Sequence, residues 1–144
     1  MIRLLFVPLL LLTGWHIQAQ TTPVNENPAK MQWFKDAKLG IFIHWGIYAV
    51  DGVDESWSFH NKKIPYAVYM KQLNGFTAKN YDPDAWAQLI RESGARYAVI
   101  TTKHHDGIAL WDTRVNNMST TKLTPARKDV LTPFFKALRN AGLK

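Results

Sequence analysis

The chain has 144 residues, of which 47% are hydrophobic and 20% charged, with a formal net charge of +7; this composition excludes disordered and fibrous classes and suits a folded globular chain. It contains no cysteine, which rules out a disulfide framework and thiolate chemistry and leaves stability to a packed core. The bases are scattered, with no run longer than two, as at Lys62-Lys63 and Arg127-Lys128, whereas a phosphate-tracking surface gathers them on one face, so no nucleic-acid partner is expected.

Residues 1–20 stand apart. Arg3 supplies a short positive start, residues 4–12 are an apolar run broken by Pro8, and Ala19 is a small residue at a cleavage position before Gln20. This is the pattern of a secretory signal peptide. A bilayer span needs about 20 apolar residues, and Thr13, Gly14, His16 and Gln18 interrupt sooner. Export to the periplasm or outside the cell is expected, without stable membrane insertion after cleavage. Residues 21–30, polar and containing Pro23 and Pro28, read as a linker, with the ordered domain over 31–144.

Within that domain, 31–38 is short and amphipathic and 39–43 predicts a buried strand. The loop 44–78 carries Trp45, Trp57, Phe59, Tyr66, Tyr69 and Phe76, too many aromatics for a mere connector; it should pack over the strand end, with a short helix near 66–73. Asp82 then caps a helix, Pro83 suits its first position, Asp84 complements its dipole, and Trp86, Leu89 and Ile90 share a face, with Trp86 assigned to the core. Gly94 ends this helix and 96–102 predicts a second strand. Val130, Leu131, Phe134, Phe135 and Leu138 form a further helical stripe, capped by Asp129 and stopped by Gly142. Pro133 would remove a hydrogen bond or bend its first turn. Gly142-Leu143-Lys144 resembles the start of another strand.

Strands alternating with helices imply an α/β fold with a parallel sheet. Two strands with their helices can neither close a barrel nor cover both sheet faces, so the chain is expected to be the amino-terminal piece of a larger domain.

Both apolar runs end in histidine: 39–43 leads into His44-Trp45-Gly46, and 97–102 into Lys103-His104-His105-Asp106-Gly107. In parallel α/β folds ligands sit beyond the carboxyl ends of the strands, where these side chains lie. A lone histidine there is more often bonded to backbone than to ligand; three of them beside glycine turns and tryptophan favour a ligand site. Neutral imidazole offers one donor and one acceptor, which fits a polyhydroxyl ligand, and Trp45, Trp57 or Trp111 could face the C–H side of a sugar. A metal-dependent hydrolase using His44, His104 and His105 is a rival reading. Adjacency of His104 and His105 counts against joint coordination on a strand, and no HExxH pattern supports it. Asp51, Asp54, Glu55 and Asp106 could act as acids or bases, but Asp106-Gly107 equally suits a turn and the others a solvated loop. GxSxG and GxxxxGK signals are absent.

Taken together, 38–46, Phe76-Thr77-Ala78, 81–87, 94–97, 101–107 and Leu110-Trp111 strongly resemble the amino-terminal half of the catalytic domain of family 29 glycoside hydrolases, the α-L-fucosidases, over about residues 31–144. The resemblance implies a (β/α)8 TIM-like barrel, of which this chain holds the first strands and helices, and a retaining, exo-acting reaction on terminal α-L-fucosyl linkages of a glycan or glycoconjugate. It implies fucose contacts by His44, His104 and His105, by Trp57, and by Glu55, although the family's Glu-Trp pair is here Glu55-Ser56-Trp57. Neither cofactor nor metal is expected. The nucleophile and acid/base would fall beyond Lys144, so the chain alone is expected to be inactive; a non-catalytic fucose-binding remnant is the other reading of the same residues.

Overall fold

The computed structural model describes residues 28–144; the expected signal peptide and residues 21–27 of the expected linker lie outside them. Helix α1, Pro28–Ala37, begins three residues before the expected start of the domain and is followed by Lys38 at φ 59°. Strand β1, Gly40–Ile43, then pairs in parallel with β2, Tyr97–Ile100, in the register Gly40 to Tyr97 through Ile43 to Ile100. Between them come short helices α2, Trp57–His60, and α3, Tyr66–Tyr69, a 3-10 stretch Met70–Gly75, and α4, Pro83–Glu92. After β2 come α5, Thr120–Leu123, and α6, Leu131–Asn140. None of the helices among the described residues is long and apolar enough to cross a membrane.

The two longer helices form where the sequence provides caps. The Asp82 carboxylate accepts from the Ala85 N–H at 3.0 Å, with Pro83 in the first turn of α4. Asp129 accepts from the N–H groups of Leu131 and Thr132 at 2.8 and 3.0 Å. Pro133 falls in the first turn of α6, where N–H groups have no helical partner, so it removes no bond. Gly94 and Gly142 follow the two helices at positive φ, 85° and 74°, which glycine adopts without penalty. Ala87 and Ile90 of α4 and Phe134, Ala137 and Leu138 of α6 are buried in a core shared with Ile47, Tyr69, Ile100 and Val130.

Two burial expectations are corrected. Strand β1 is not buried throughout: Ile41 and Ile43 pack on the core, while Phe42 is 63% exposed. Alternate side chains of a strand leave opposite faces, and Val99, the register partner of Phe42, is exposed on β2 as well; the face of Ile41, Ile43 and Ile100 packs on the core, while the opposite face is met at Tyr97 by Trp33 and Phe34 of α1 and is open at Phe42 and Val99. On α4, Leu89 is 69% exposed and does not share the buried face of Ala87 and Ile90, whereas Trp86, partly buried, packs against the core as expected, its ring 6.1 Å from that of Phe134. The reading of residues 142–144 is met in hydrogen bonding: Lys144 donates to the Arg96 carbonyl at 3.1 Å and accepts from Ala98 at 2.8 Å. These are the two bonds of a parallel bridge to Tyr97, on the edge of β2 opposite β1.

Candidate functional site

The site lies at the carboxyl ends of β1 and β2. His44 directly follows β1, and the backbone of Thr101 continues the ladder by donating to the Ile43 carbonyl at 3.1 Å. The Thr101 hydroxyl then accepts from the Trp45 N–H and donates to the Trp45 carbonyl, both at 3.2 Å, locking the two strand exits together. Buried Tyr48 reaches the same hydroxyl at 3.3 Å, and its ring lies 6.4 Å from His44 and 6.0 Å from His104. Burial raises the Tyr48 phenol above its ordinary ionisation range, so it stays a neutral floor beneath the imidazoles.

Chain reversal at Gly107, φ 89°, presents the second pair of histidines. Asp106 is 3% exposed, and its carboxylate accepts from the Ile108 N–H at 2.9 Å and from the Tyr69 hydroxyl at 2.8 Å. Tyr66 adds a 3.3 Å bond to the Asp106 carbonyl. The turn reading of Asp106 holds, and its carboxylate is occupied in bracing the loop. Burial, and then the neighbouring Asp106, push the Tyr69 phenol far above its usual range, which keeps it a donor.

His104 neighbours both His44 and His105. The rings of His44 and His104 are 5.5 Å apart and those of His104 and His105 5.1 Å. Glu55 also arrives: its Oε1 lies 3.2 Å from His44 Nδ1. One donor atom each from His44, Glu55 and His104 lie within 4.8 Å of one another. His105 is not in that group, so the trio named in the metal reading is not the one that converges. Beside it a cleft of about 260 Å³ is lined by Ser56, Trp57, Phe59, His60, His104 and His105.

The tryptophans part company. Trp57 is 53% exposed at this cleft. Trp45 is boxed in by Phe76, Tyr81 and Trp86, with centroids at 5.3, 5.1 and 5.1 Å, and belongs to the interior; Trp111 packs against the core. Sequence reasoning passed over Ser56, whose hydroxyl lies 2.5 Å from His104 Nδ1, and His60, whose ring meets Trp57 edge-on at 5.2 Å. A serine before a short helix reads as a cap, and only the spacing of three between Trp57 and His60 hints that they share a face.

Parallel strands with a polar cluster beyond their carboxyl ends define the ligand-binding end of an α/β domain. The family model described as α-L-fucosidase matches residues 13–144, and the chain belongs to that family. It is similar to the plasma α-L-fucosidase of Homo sapiens, 36% identical over 124 residues, covering 75% of this chain and 26% of that relative. Among solved structures, α-L-fucosidase isoenzyme 1 from Paenibacillus thiaminolyticus superposes with a TM-score of 0.76 at 42% identity, covering 81% of this chain and 27% of that one. A trapped covalent intermediate of a Bacteroides thetaiotaomicron α-L-fucosidase with 2-fluoro-fucosyl fluoride gives 0.73 at 33% identity, covering 83% and 29%. The chain thus spans about a quarter of the length of the curated relative.

Proposed function

We propose that residues 31–144 are the amino-terminal part of the (β/α)8 catalytic barrel of an exported, retaining, exo-acting α-L-fucosidase, and that they carry part of its fucose subsite. The observation behind this reading is the convergence of His44, Glu55 and His104 beyond two adjacent parallel strands in a chain of the α-L-fucosidase family. The substrate is a terminal α-L-fucosyl residue on a glycan or glycoconjugate. His44, His104 and His105 hold its hydroxyls, each imidazole offering a donor and an acceptor. Exposed Trp57 presents an apolar face to the C–H side of the ring, and Glu55 completes the polar wall.

Hydrolysis with retention needs one carboxylate as nucleophile and another as acid/base, about 5–5.5 Å apart. At this site Glu55 is engaged by His44 and Asp106 by Tyr69 and the Ile108 N–H. We assign both catalytic carboxylates to residues outside 28–144, so these residues alone hold sugar without cleaving it. The three converging donors also motivate a second reading, a metal-dependent hydrolase.

The experiment is hydrolysis of an aryl α-L-fucoside by the full-length protein, with the anomer of released fucose read by NMR. Expected are cleavage with retention and, for His105→Ala, a fall in kcat/KM of about 10- to 100-fold, the range for a hydrogen bond to a partner charged in the transition state. Fucose binding without cleavage would establish the non-catalytic reading. Stoichiometric zinc, with activity lost to chelation, would establish the metal reading.

A further inference from the structure

Ser56 stands at the amino-terminal cap of α2, yet its side chain makes no capping bond. Serine in that position ordinarily accepts from an N–H of the first turn. Here the hydroxyl, in a residue 3% exposed, turns instead to His104 Nδ1 at 2.5 Å. The preceding residue, Glu55, holds the other imidazole in the same way, by Nδ1 of His44 at 3.2 Å. Two consecutive residues of one loop therefore grip the two histidines that close the ends of different strands, and each grip leaves Nε2 as the nitrogen available to a ligand.

The two grips differ in sign. A carboxylate only accepts, so in the neutral His44 ring the proton sits on Nδ1 and Nε2 is a bare acceptor. A hydroxyl can do either. The hydrogen bond to His104 is the one the Ser56 side chain makes among the described residues; were the Nδ1 proton donated to serine, the serine proton would be left buried without an acceptor, a costly arrangement. Serine therefore donates, Nδ1 of His104 is unprotonated, and its Nε2 carries the hydrogen.

We infer that Glu55 and Ser56 are positioning residues that preset opposite hydrogen-bond polarities on the paired imidazoles, His44 presenting an acceptor and His104 a donor. A hydroxyl group satisfies both at once, donating to His44 and accepting from His104, whereas an ether oxygen or a carboxylate satisfies only one. That the hydroxyl belongs to a fucosyl residue rests on the function proposed above; the polarity itself does not.

The test is a long-range proton–nitrogen NMR correlation of the full-length protein labelled at histidine nitrogen, recorded above the imidazole titration range, where the unprotonated ring nitrogen resonates far downfield of the protonated one. His44 is expected as the Nδ1–H tautomer and His104 as the Nε2–H tautomer. In Ser56→Ala the His104 signals are expected to move toward a mixture of tautomers. KM for an aryl α-L-fucoside should rise about tenfold with kcat nearly unchanged, the signature of a ground-state contact, and Ser56→Thr should restore both. The wild-type spectrum decides even if a variant fails to fold: identical tautomers on the two rings, or an Nδ1–H His104, overturns the inference. The stated tautomers without turnover of any fucoside would sink the fucosidase reading and leave the polarity assignment standing.

Discussion

At the scale of single residues, the most consequential contact outside the imidazoles is the bond from Tyr69 to Asp106, because it joins a fully buried phenol to the loop that carries His104 and His105. Tyr69→Phe keeps the ring and removes the donor, leaving a buried carboxylate with the Ile108 N–H alone. The expected loss is about 1–3 kcal/mol of folding stability, measured by urea unfolding, with faster amide exchange at Gly107 and Ile108. Tyr66→Phe removes only a 3.3 Å bond from a half-exposed side chain and is expected to stay within about 0.5 kcal/mol of wild type. Equal losses in the two variants would mean that Asp106 is not held as described. The sequence displayed half of this device: Asp106-Gly107 is legible as a turn. Its partner, 37 positions away, was not, since nothing local in residues 66–73 says that one tyrosine points inward and another outward. For the same reason Glu55 could be placed near the site while its contact with His44 could not.

At the scale of elements, what was legible followed from local chemistry. The caps at Asp82 and Asp129, the stops at Gly94 and Gly142 and the parallel pairing were all readable because each depends on neighbours in sequence or on the 3.6- and 2-residue periods. The four-residue helices α2 and α5 were not, being too short to establish a period, and Leu89 was misjudged because burial depends on which element arrives opposite. Asp82→Ala removes the cap of α4, with an expected cost of about 1 kcal/mol seen as a lower urea midpoint; an unchanged midpoint would show that tertiary packing alone holds the first turn. Strand β1 offers a sterner test. A Cβ at Gly40 would stand 2.1 Å from the Tyr97 ring, itself packed against Trp33 and Phe34 of α1 at 6.0 and 5.3 Å. Gly40→Ala must displace that ring, and the expected loss is about 1–3 kcal/mol, typical of overpacking. Retained stability would show that α1 yields freely.

At the scale of the whole molecule, three phenols tie together stretches of chain distant in sequence. Tyr48 reaches Thr101, Tyr69 reaches Asp106, and Tyr81 donates to the Val130 carbonyl at 2.6 Å, linking the exits of β1 and β2, the α3 region to the histidine loop, and the approach to α4 with that to α6. Burial raises the ionisation of all three above the ordinary value of 10.0, with Asp106 adding to the effect at Tyr69 and Asp129 at Tyr81. In the unfolded chain these phenols lose protons near pH 10, whereas in the folded chain they keep them. Below that pH both states hold the same protons and the stabilisation is complete. Above it the unfolded state binds fewer protons, so stability falls with rising pH, by at most about 1.4 kcal/mol per pH unit for each phenol. Urea midpoints are therefore expected to carry the full contribution of these groups, without pH dependence from them, up to about pH 9 and to fall progressively beyond it. The slope should be shallower in Tyr81→Phe, which lowers stability at neutral pH but removes one ionising group. Absorbance at 295 nm should show part of the tyrosine titration delayed until unfolding. Ionisation of all five tyrosines in a single step near pH 10 in the folded protein, or an unaltered alkaline slope in Tyr81→Phe, would show that these hydroxyls lie open to solvent and do not bind the connections together.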